Sequence, residues 1–135
     1  MVKIDVAKSV NFNELIYSKE AEVVSMRILN QPNSYVSLFS LAKNEEITAE
    51  AMLGNRYYYC FNGNGEISVE NNKKPIKTGD FLEVLANNNY SVKSLDTLKV
   101  SKFHLLVNSI LNNTKNNIYK IFKISNLIII IFLNK

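Results

Sequence analysis

The sequence predicts an all-β fold, either a small barrel or a double-sheet jelly roll. Short stretches with alternating apolar residues recur over residues 1–107, and turn-forming Gly, Pro, Asn and Asp separate them at intervals of roughly eight to twelve residues. A second observation is the aromatic run 57–61, YYYCF, which is followed directly by the turn-forming run 62–65, NGNG. Aromatic residues followed by such a run are typical of a strand that enters a hairpin.

The strands can be assigned in chain order. Residues 1–19 have weak periodicity, so we expect an irregular lead-in whose Phe12, Leu15 and Ile16 cover one end of the core. In the first strand, apolar residues alternate with polar ones such as Arg27, which is typical of a half-buried strand. The predicted strands are 22–29, 35–41, 47–52, 56–61, 66–70, 75–77, 81–85, 90–94 and 98–107.

Turn chemistry separates these strands. Pro32 and its flanking asparagines predict a turn between the first two strands. Asn44 can adopt a left-handed backbone conformation, which few residues other than glycine do readily. The run 62–65 predicts a hairpin that pairs strand 66–70 back onto strand 56–61, and Gly79 and Asp96 predict two further turns.

The chain divides into a domain over residues 1–107 and an Asn/Ile/Lys-rich extension over 108–135 that contains no glycine, proline or acidic residue. Apolar residues recur every three or four positions from Ile118 to Phe132, so the extension is predicted to be helical, or otherwise irregular. Its uninterrupted apolar run, 127–133, is far shorter than the ~20 residues that a membrane span needs. A packed helix, an interfacial membrane anchor and a non-functional low-complexity tail remain open, and the run is an aggregation hazard if exposed.

Charge divides the chain at nearly the same place. The first 100 residues hold 11 basic and 12 acidic residues, whereas residues 101–135 hold five lysines and no acid. The net charge of +4 therefore belongs to the end of the chain, and no nucleic-acid partner is expected because no element concentrates basic residues on one face. No secretory signal is visible near the N-terminus, so a cytoplasmic location is expected.

Few residues suggest chemistry on their own. Cys60 is the only cysteine and lies in a predicted strand, so we expect a small buried side chain and no internal disulfide. His104 is the only histidine and is expected to be a satisfied strand residue without a catalytic partner. Neither a nucleophile elbow nor a phosphate-binding glycine loop occurs.

The spacing of residues 44–63 resembles the first motif of the cupin family, which is Gly, five residues, His-x-His, three or four residues, Glu, six residues and Gly. On this chain Asn44 stands at the first Gly, Glu50 and Met52 at the two His, Arg56 at the Glu and Gly63 at the last Gly. The family's second motif falls on Gly79, Leu85, Asn87, Tyr90 and Ser94, of which only the glycine matches. The resemblance covers roughly residues 23–106 and implies a cupin-like β-barrel.

In cupins the motif residues hold a divalent metal inside the barrel. The corresponding set here is a carboxylate, a thioether, a guanidinium and a phenol, contributed by Glu50, Met52, Arg56 and Tyr90. The fixed positive charge of Arg56 would repel a metal ion, so no metal or other cofactor is expected. Two alternatives remain for Arg56: it pairs with Glu50 as a buried ion pair, or it binds a small anionic ligand together with Tyr58 and Tyr90.

We therefore predict a metal-free binding module with a pocket formed by Glu50, Met52, Arg56, Tyr58 and Tyr90, against an apolar wall of Phe39, Met52 and Leu85. The resemblance implies a homodimer, since similar small cupins often dimerise. One alternative is an isomerase, epimerase or lyase that uses Glu50 or Tyr90 as its acid or base. Another is a degenerate cupin with only a structural or assembly role. The sequence favours binding over catalysis.

Overall fold

Two long antiparallel strands, β4 (Asn55–Val69) and β7 (Tyr90–Leu105), form the centre of the fold. The computed structural model describes residue 4, residues 7–49 and 51–105, and the two strands 119–124 and 127–132. The other elements are α1 (Phe12–Leu15), β1 (Val23–Gln31), β2 (Ser34–Leu41), β3 (Glu46–Ala49), β5 (Asn72–Lys77), β6 (Phe81–Val84), β8 (Tyr119–Ile124) and β9 (Leu127–Phe132).

The long strands bend sharply, and each therefore contributes to two layers. On one side of the bend the strand order is β1-β2-β7-β4-β6, and on the other side it is β3-β7-β4-β5. All pairings are antiparallel. The two layers face each other across a core that includes Tyr58, Cys60 and Val100 from the first and Ile67 and Val92 from the second. This is the predicted all-β jelly-roll barrel.

The expected hairpin at 62–65 is wrong, because β4 continues through it as one strand. Bulges at Cys60/Asn62 and Gly63/Gly65 bend the strand instead. Gly63 has φ +92°, and a Cβ built on it would lie 1.9 Å from the carbonyl oxygen of Thr97. Glycine is required here because the two backbones cross closely, which is a common use of glycine at a bulge. The turn expected at Asp96 is likewise part of the bend in β7.

Other local predictions are confirmed. Asn44 has φ +63°, so it occupies the left-handed conformation of the first motif glycine, and Asn87 does the same at φ +64° in the second motif. In the described part of the lead-in α1 is the one regular element, and Ile16 beyond it is buried at 1% exposure. Cys60 is a free, fully buried cysteine.

The helix expected between Ile118 and Phe132 is wrong where the structure describes this segment. β8 and β9 form a two-stranded antiparallel sheet of their own, with Ile121 paired to Ile130. Isoleucine is β-branched and favours strands, and a run of four isoleucines outweighs the spacing that suggested a helix. The rest of the extension predicted from residue 108 onward lies outside the described residues.

None of the helices in the described part of the chain has the length and apolar character needed to cross a membrane.

Candidate functional site

Arg56 lies inside the barrel, near the start of β4. It pairs with His104 of β7 on one side and with Val84 of β6 on the other. The arginine is 0% exposed, and its Nη2 donates hydrogen bonds to the carbonyl oxygens of Leu85 and Asn88, both at 3.2 Å. Its Nε and Nη1 have no hydrogen-bond partner among the described residues. A buried charge that lacks partners for some of its donors is costly, so this guanidinium is suited to receive an acceptor.

Two tyrosines stand beside this guanidinium. The hydroxyl groups of Tyr58 and Tyr90 are 2.7 Å apart and share a hydrogen bond, and their rings meet edge to face at 5.7 Å. The guanidinium carbon of Arg56 lies 4.9 Å from the ring centroid of Tyr90, within the range of a cation–π contact. Both phenols are buried, Tyr58 at 1% and Tyr90 at 5% exposure. Arg56, Tyr58 and Tyr90 thus form one connected group.

Burial keeps Tyr58 of this group protonated. The pKa of Tyr58 is raised well above its usual value, chiefly by desolvation, then by the nearby phenols of Tyr90 and Tyr35, while Arg56 opposes the shift. A phenol with a raised pKa stays protonated at neutral pH, so Tyr58 can donate a hydrogen bond but is a poor base. The group is therefore equipped to bind negative charge.

Two of the other predicted pocket residues do not join this group. Met52 is 42% exposed in the loop before β4, and Leu85 is 58% exposed, so neither side chain forms a buried wall. Phe39 is half-buried and packs against the core cluster that contains Tyr58. Glu50, and with it the predicted pair between Glu50 and Arg56, lies outside the described residues.

His104 is a buried strand residue, as predicted. Its Nε2 donates to the carbonyl oxygen of Leu53 at 2.7 Å, and its ring lies 4.7 Å from that of Tyr35. Within the described ranges it has no carboxylate or nucleophile as a hydrogen-bond partner. A catalytic role for His104 therefore finds no support in its contacts.

Three polar residues of the same interior were missed at the sequence level: Arg27, Tyr35 and Lys102. Lys102 alternates with His104 and Val100 along β7, which is the signal that could have placed it inside. For Arg27 the alternation points the wrong way, because its apolar neighbours suggest that it faces solvent. The strand register instead places Arg27 on the inner face. Arg27 pairs with Ser37, Ser37 pairs with Lys102, and Lys102 pairs with Tyr58.

A cleft of about 600 Å³ opens on the second layer, where β3 ends, β4 ends and β7 begins. Its lining includes Ala49, Glu70 and Tyr90. Tyr90 therefore separates this cleft from Arg56, and the cleft is one route by which a small molecule could approach the buried group.

The family's metal does not fit the residues present. Arg56 brings a fixed positive charge to one ligand position, and the Tyr90 phenol at another is engaged with Tyr58. In the part of the chain that the structure describes, no cluster of three or more His, Cys, Asp or Glu side chains could hold a metal ion. Oxygen, nitrogen and thiolate ligands are what divalent metals require in proteins.

Comparison with solved structures agrees with the fold. A cupin 2 conserved barrel domain protein from Leptotrichia buccalis matches 78% of this chain at 75% identity with a TM-score of 0.75, and the match covers 50% of that protein, so this chain spans about half its length. A cupin superfamily protein from Desulfitobacterium hafniense matches 77% of the chain at 23% identity and a TM-score of 0.71, with 95% of that protein covered. A conserved protein of unknown function from Streptococcus pyogenes matches 78% of the chain at 15% identity and a TM-score of 0.71, with 92% covered.

No protein-family model matches this sequence, and no curated protein matches it. The fold and the site nevertheless define a small jelly-roll barrel with a polar, arginine-containing interior. With the relative from Leptotrichia buccalis, they assign the protein's class: the chain belongs to the cupin superfamily.

Proposed function

We propose that this domain is a metal-free cupin that binds a small anionic molecule inside the barrel. The observation that carries the proposal is Arg56, which is fully buried and has two guanidinium nitrogens without a partner among the described residues. Tyr58 and Tyr90 supply phenolic hydroxyls beside it. An arginine offers paired N–H donors whose geometry matches a carboxylate or phosphate.

Glu50 is the group most able to compete with such a ligand. It directly follows Ala49, the last residue of β3, and Ala49 pairs with Tyr90. If the Glu50 carboxylate neutralises Arg56, removing its charge should strengthen anion binding. A comparison of anion binding by wild type and Glu50→Gln therefore shows whether Arg56 is free or already paired with Glu50.

The experiment is a screen of small carboxylates and phosphates by thermal shift, followed by calorimetry of the hits on wild type, Arg56→Met and Lys99→Met. Lys99 is a matched control because it lies on β7 but faces the opposite side of the sheet, where its Nζ donates to the carbonyl oxygen of Asn13. We expect Arg56→Met to weaken binding by about 1.5–3 kcal/mol, the range for hydrogen bonds to charged groups, and Lys99→Met to leave it unchanged. Hits that bind both variants equally well would place the ligand elsewhere, and a screen without hits favours an assembly role.

Elemental analysis after mild purification tests the metal-free part of the proposal. Arginine and phenol at the ligand positions lead us to expect less than stoichiometric Fe, Mn, Ni or Zn. One such ion per chain would refute it. The raised pKa of Tyr58 argues against a role as general base, since a protonated phenol donates hydrogen bonds but does not abstract protons.

The proposal includes a homodimer formed through the outer face of β4 and β6. Tyr59 and Phe81 pair across these strands and are 39% and 56% exposed, and Phe81 stacks on Tyr57 at 5.7 Å. Exposed aromatic residues of this kind are enriched at protein interfaces. Sedimentation of wild type and Phe81→Lys measures whether the substitution disrupts the proposed dimer. The control is Leu95→Lys, at an exposed residue in the bend of β7.

A further inference from the structure

The inner face of the first layer carries three cationic side chains. Arg27, Ser37, Lys102 and Tyr58 form one cross-strand row over β1, β2, β7 and β4. Tyr35, His104 and Arg56 form the neighbouring row on the same face, two residues further along. The chain has only two arginines, and both lie on this face.

Arg27 and Lys102 converge on one aromatic ring. The guanidinium carbon of Arg27 lies 3.8 Å from the ring centroid of Tyr35, and Lys102 Nζ lies 5.5 Å from the same centroid. Two cations held against one ring repel each other unless negative charge is present between or beside them. Both side chains are only partly buried, so this end of the interior reaches solvent.

The described residues do not supply that negative charge. Arg27 donates to the neutral Oγ of Ser37 at 2.7 Å and to Oδ1 of Asn30 at 3.2 Å. Lys102 has no hydrogen bond or ion pair with any residue in the described ranges, where the salt bridge found is that of Lys73 with Glu66. Of all acidic side chains in the chain, only Asp5 and Glu50 lie outside the described part.

The two cationic ends belong to one continuous interior. The Tyr35 ring contacts His104, which pairs with Arg56, and the Tyr35 phenol is close enough to raise the pKa of Tyr58. Because Lys102 is two residues from His104 and one strand away from Arg56, the spacing of strands and the rise along them put the Cα atoms of Lys102 and Arg56 about 8 Å apart. The backbone positions that carry these two cations are therefore near neighbours on the inner face of the sheet.

We propose that the ligand of this barrel is a small organic dianion. One anionic group binds Arg56 with Tyr58 and Tyr90, and the second binds Lys102 and Arg27 at the Tyr35 ring. This inference rests on the proposed anion-binding function and adds to it the requirement for a second negative charge. Dicarboxylates and phosphorylated carboxylates both have the required chemistry.

Calorimetry on the full chain tests the requirement. The probes are straight-chain dicarboxylates of graded length, phosphorylated carboxylates, and a monocarboxylate matched in length to each, at constant ionic strength. For wild type we expect the best dianion to bind at least tenfold more tightly than its monoanionic partner. Lys102→Met and Arg27→Met should reduce that ratio to about one, while Lys99→Met keeps it. Whether carboxylate or phosphate probes show the larger ratio identifies the second anionic group.

The outcomes separate this inference from the proposal beneath it. Equal binding of dianions and monoanions to wild type, or an undiminished ratio in Lys102→Met, overturns the dianion while anion binding at Arg56 stands. Binding of neither kind, or anion binding that Arg56→Met leaves intact, overturns both. If Lys102→Met does not fold, Lys102→Gln replaces it. A double variant, Asp5→Asn with Glu50→Gln, tests whether an internal carboxylate occupies the second anionic position. If this variant binds dianions no more tightly than wild type, an internal carboxylate is excluded as the occupant.

Discussion

Tyr58 illustrates how burial controls a single residue of the site. Its hydroxyl is buried with that of Tyr90 as its hydrogen-bond partner, and its pKa is raised mainly by desolvation. The unfolded chain, in which a tyrosine has its ordinary pKa of about 10, therefore loses this proton at a lower pH than the folded domain does. The contribution of the neutral phenol to stability is complete below about pH 10 and is lost as the pH rises from there towards the folded-state pKa.

We expect Tyr58→Phe to lower the stability of the domain at neutral pH and to weaken the dependence of stability on pH above pH 10. At neutral pH it should lower the free energy of unfolding by about 1–3 kcal/mol, because the buried Tyr90 hydroxyl loses its partner. Above pH 10 the loss of stability with pH should be shallower than in wild type, since one shifted phenol is gone. Urea unfolding across pH measures both effects, with the 68% exposed Tyr17, replaced by Phe, as the control. An unchanged slope above pH 10 would contradict this account of Tyr58.

At this scale, the sequence predicts part of the residue group that the structure brings together. It selected Arg56, Tyr58 and Tyr90, which the structure brings together, because the motif spacing and the alternation along one strand are local signals. It missed Arg27 because the apolar residues Met26 and Ile28 flank it, so the alternation suggested that Arg27 faces solvent. The register of β1 is regular up to Arg27 and pairs Arg27 with Ser37, so the polar residues of this alternation are the ones on the inner face.

At the scale of elements, the bend in β4 and β7 decides the architecture. Local turn chemistry at 62–65 is the same for a hairpin and for a bulged bend, and only the position of β7, which is distant in sequence, separates the two. The sequence therefore predicted the short strands and most turns but divided each long strand into two. The barrel interior that holds Arg56 and Lys102 depends on β7 being one continuous strand, since β7 carries both Tyr90 and Lys102.

Gly63→Ala should be among the most damaging single changes in the domain. Its new Cβ would meet the Thr97 carbonyl oxygen, a backbone atom that can move only if the strand moves. We expect a loss of more than about 3 kcal/mol in the free energy of unfolding, which is the scale of disrupting a packed element. Chemical denaturation monitored by circular dichroism provides the measurement.

Gly79→Ala is the matched control for this change. Gly79 has the same φ of +92°, but nothing lies within 4 Å of a Cβ built there. It should therefore cost only the backbone strain of a left-handed residue, about 1–2 kcal/mol. Equal losses at Gly63 and Gly79 would mean that conformation, and not the crossing of β4 and β7, explains the need for glycine at Gly63.

At the scale of the whole molecule, two parts of the chain follow different physical rules. The buried clusters described in the barrel draw on residues from Leu29 to Leu105, with strands joined by long-range antiparallel pairing. β8 and β9 pair with each other in a sheet separate from that of the barrel. Composition and charge predict a change of character near residue 108, but helical spacing in an isoleucine-rich run did not determine the secondary structure of the segment.

A chain truncated after Val107 is expected to fold by itself. Every strand of the seven-stranded sheet ends at or before Leu105. The residues of the proposed site also lie before this position, among them Arg56, Tyr58, Tyr90 and Lys102. Thermal and urea unfolding of residues 1–107 should show one cooperative transition, with a free energy of unfolding within about 3 kcal/mol of the full chain. Removal of the run 127–133 should also reduce aggregation, because apolar β-prone segments without charge associate through their strand edges. A broad, non-cooperative transition in the truncated chain, with the full chain unfolding sharply under the same conditions, would show instead that residues 108–135 complete the barrel's core.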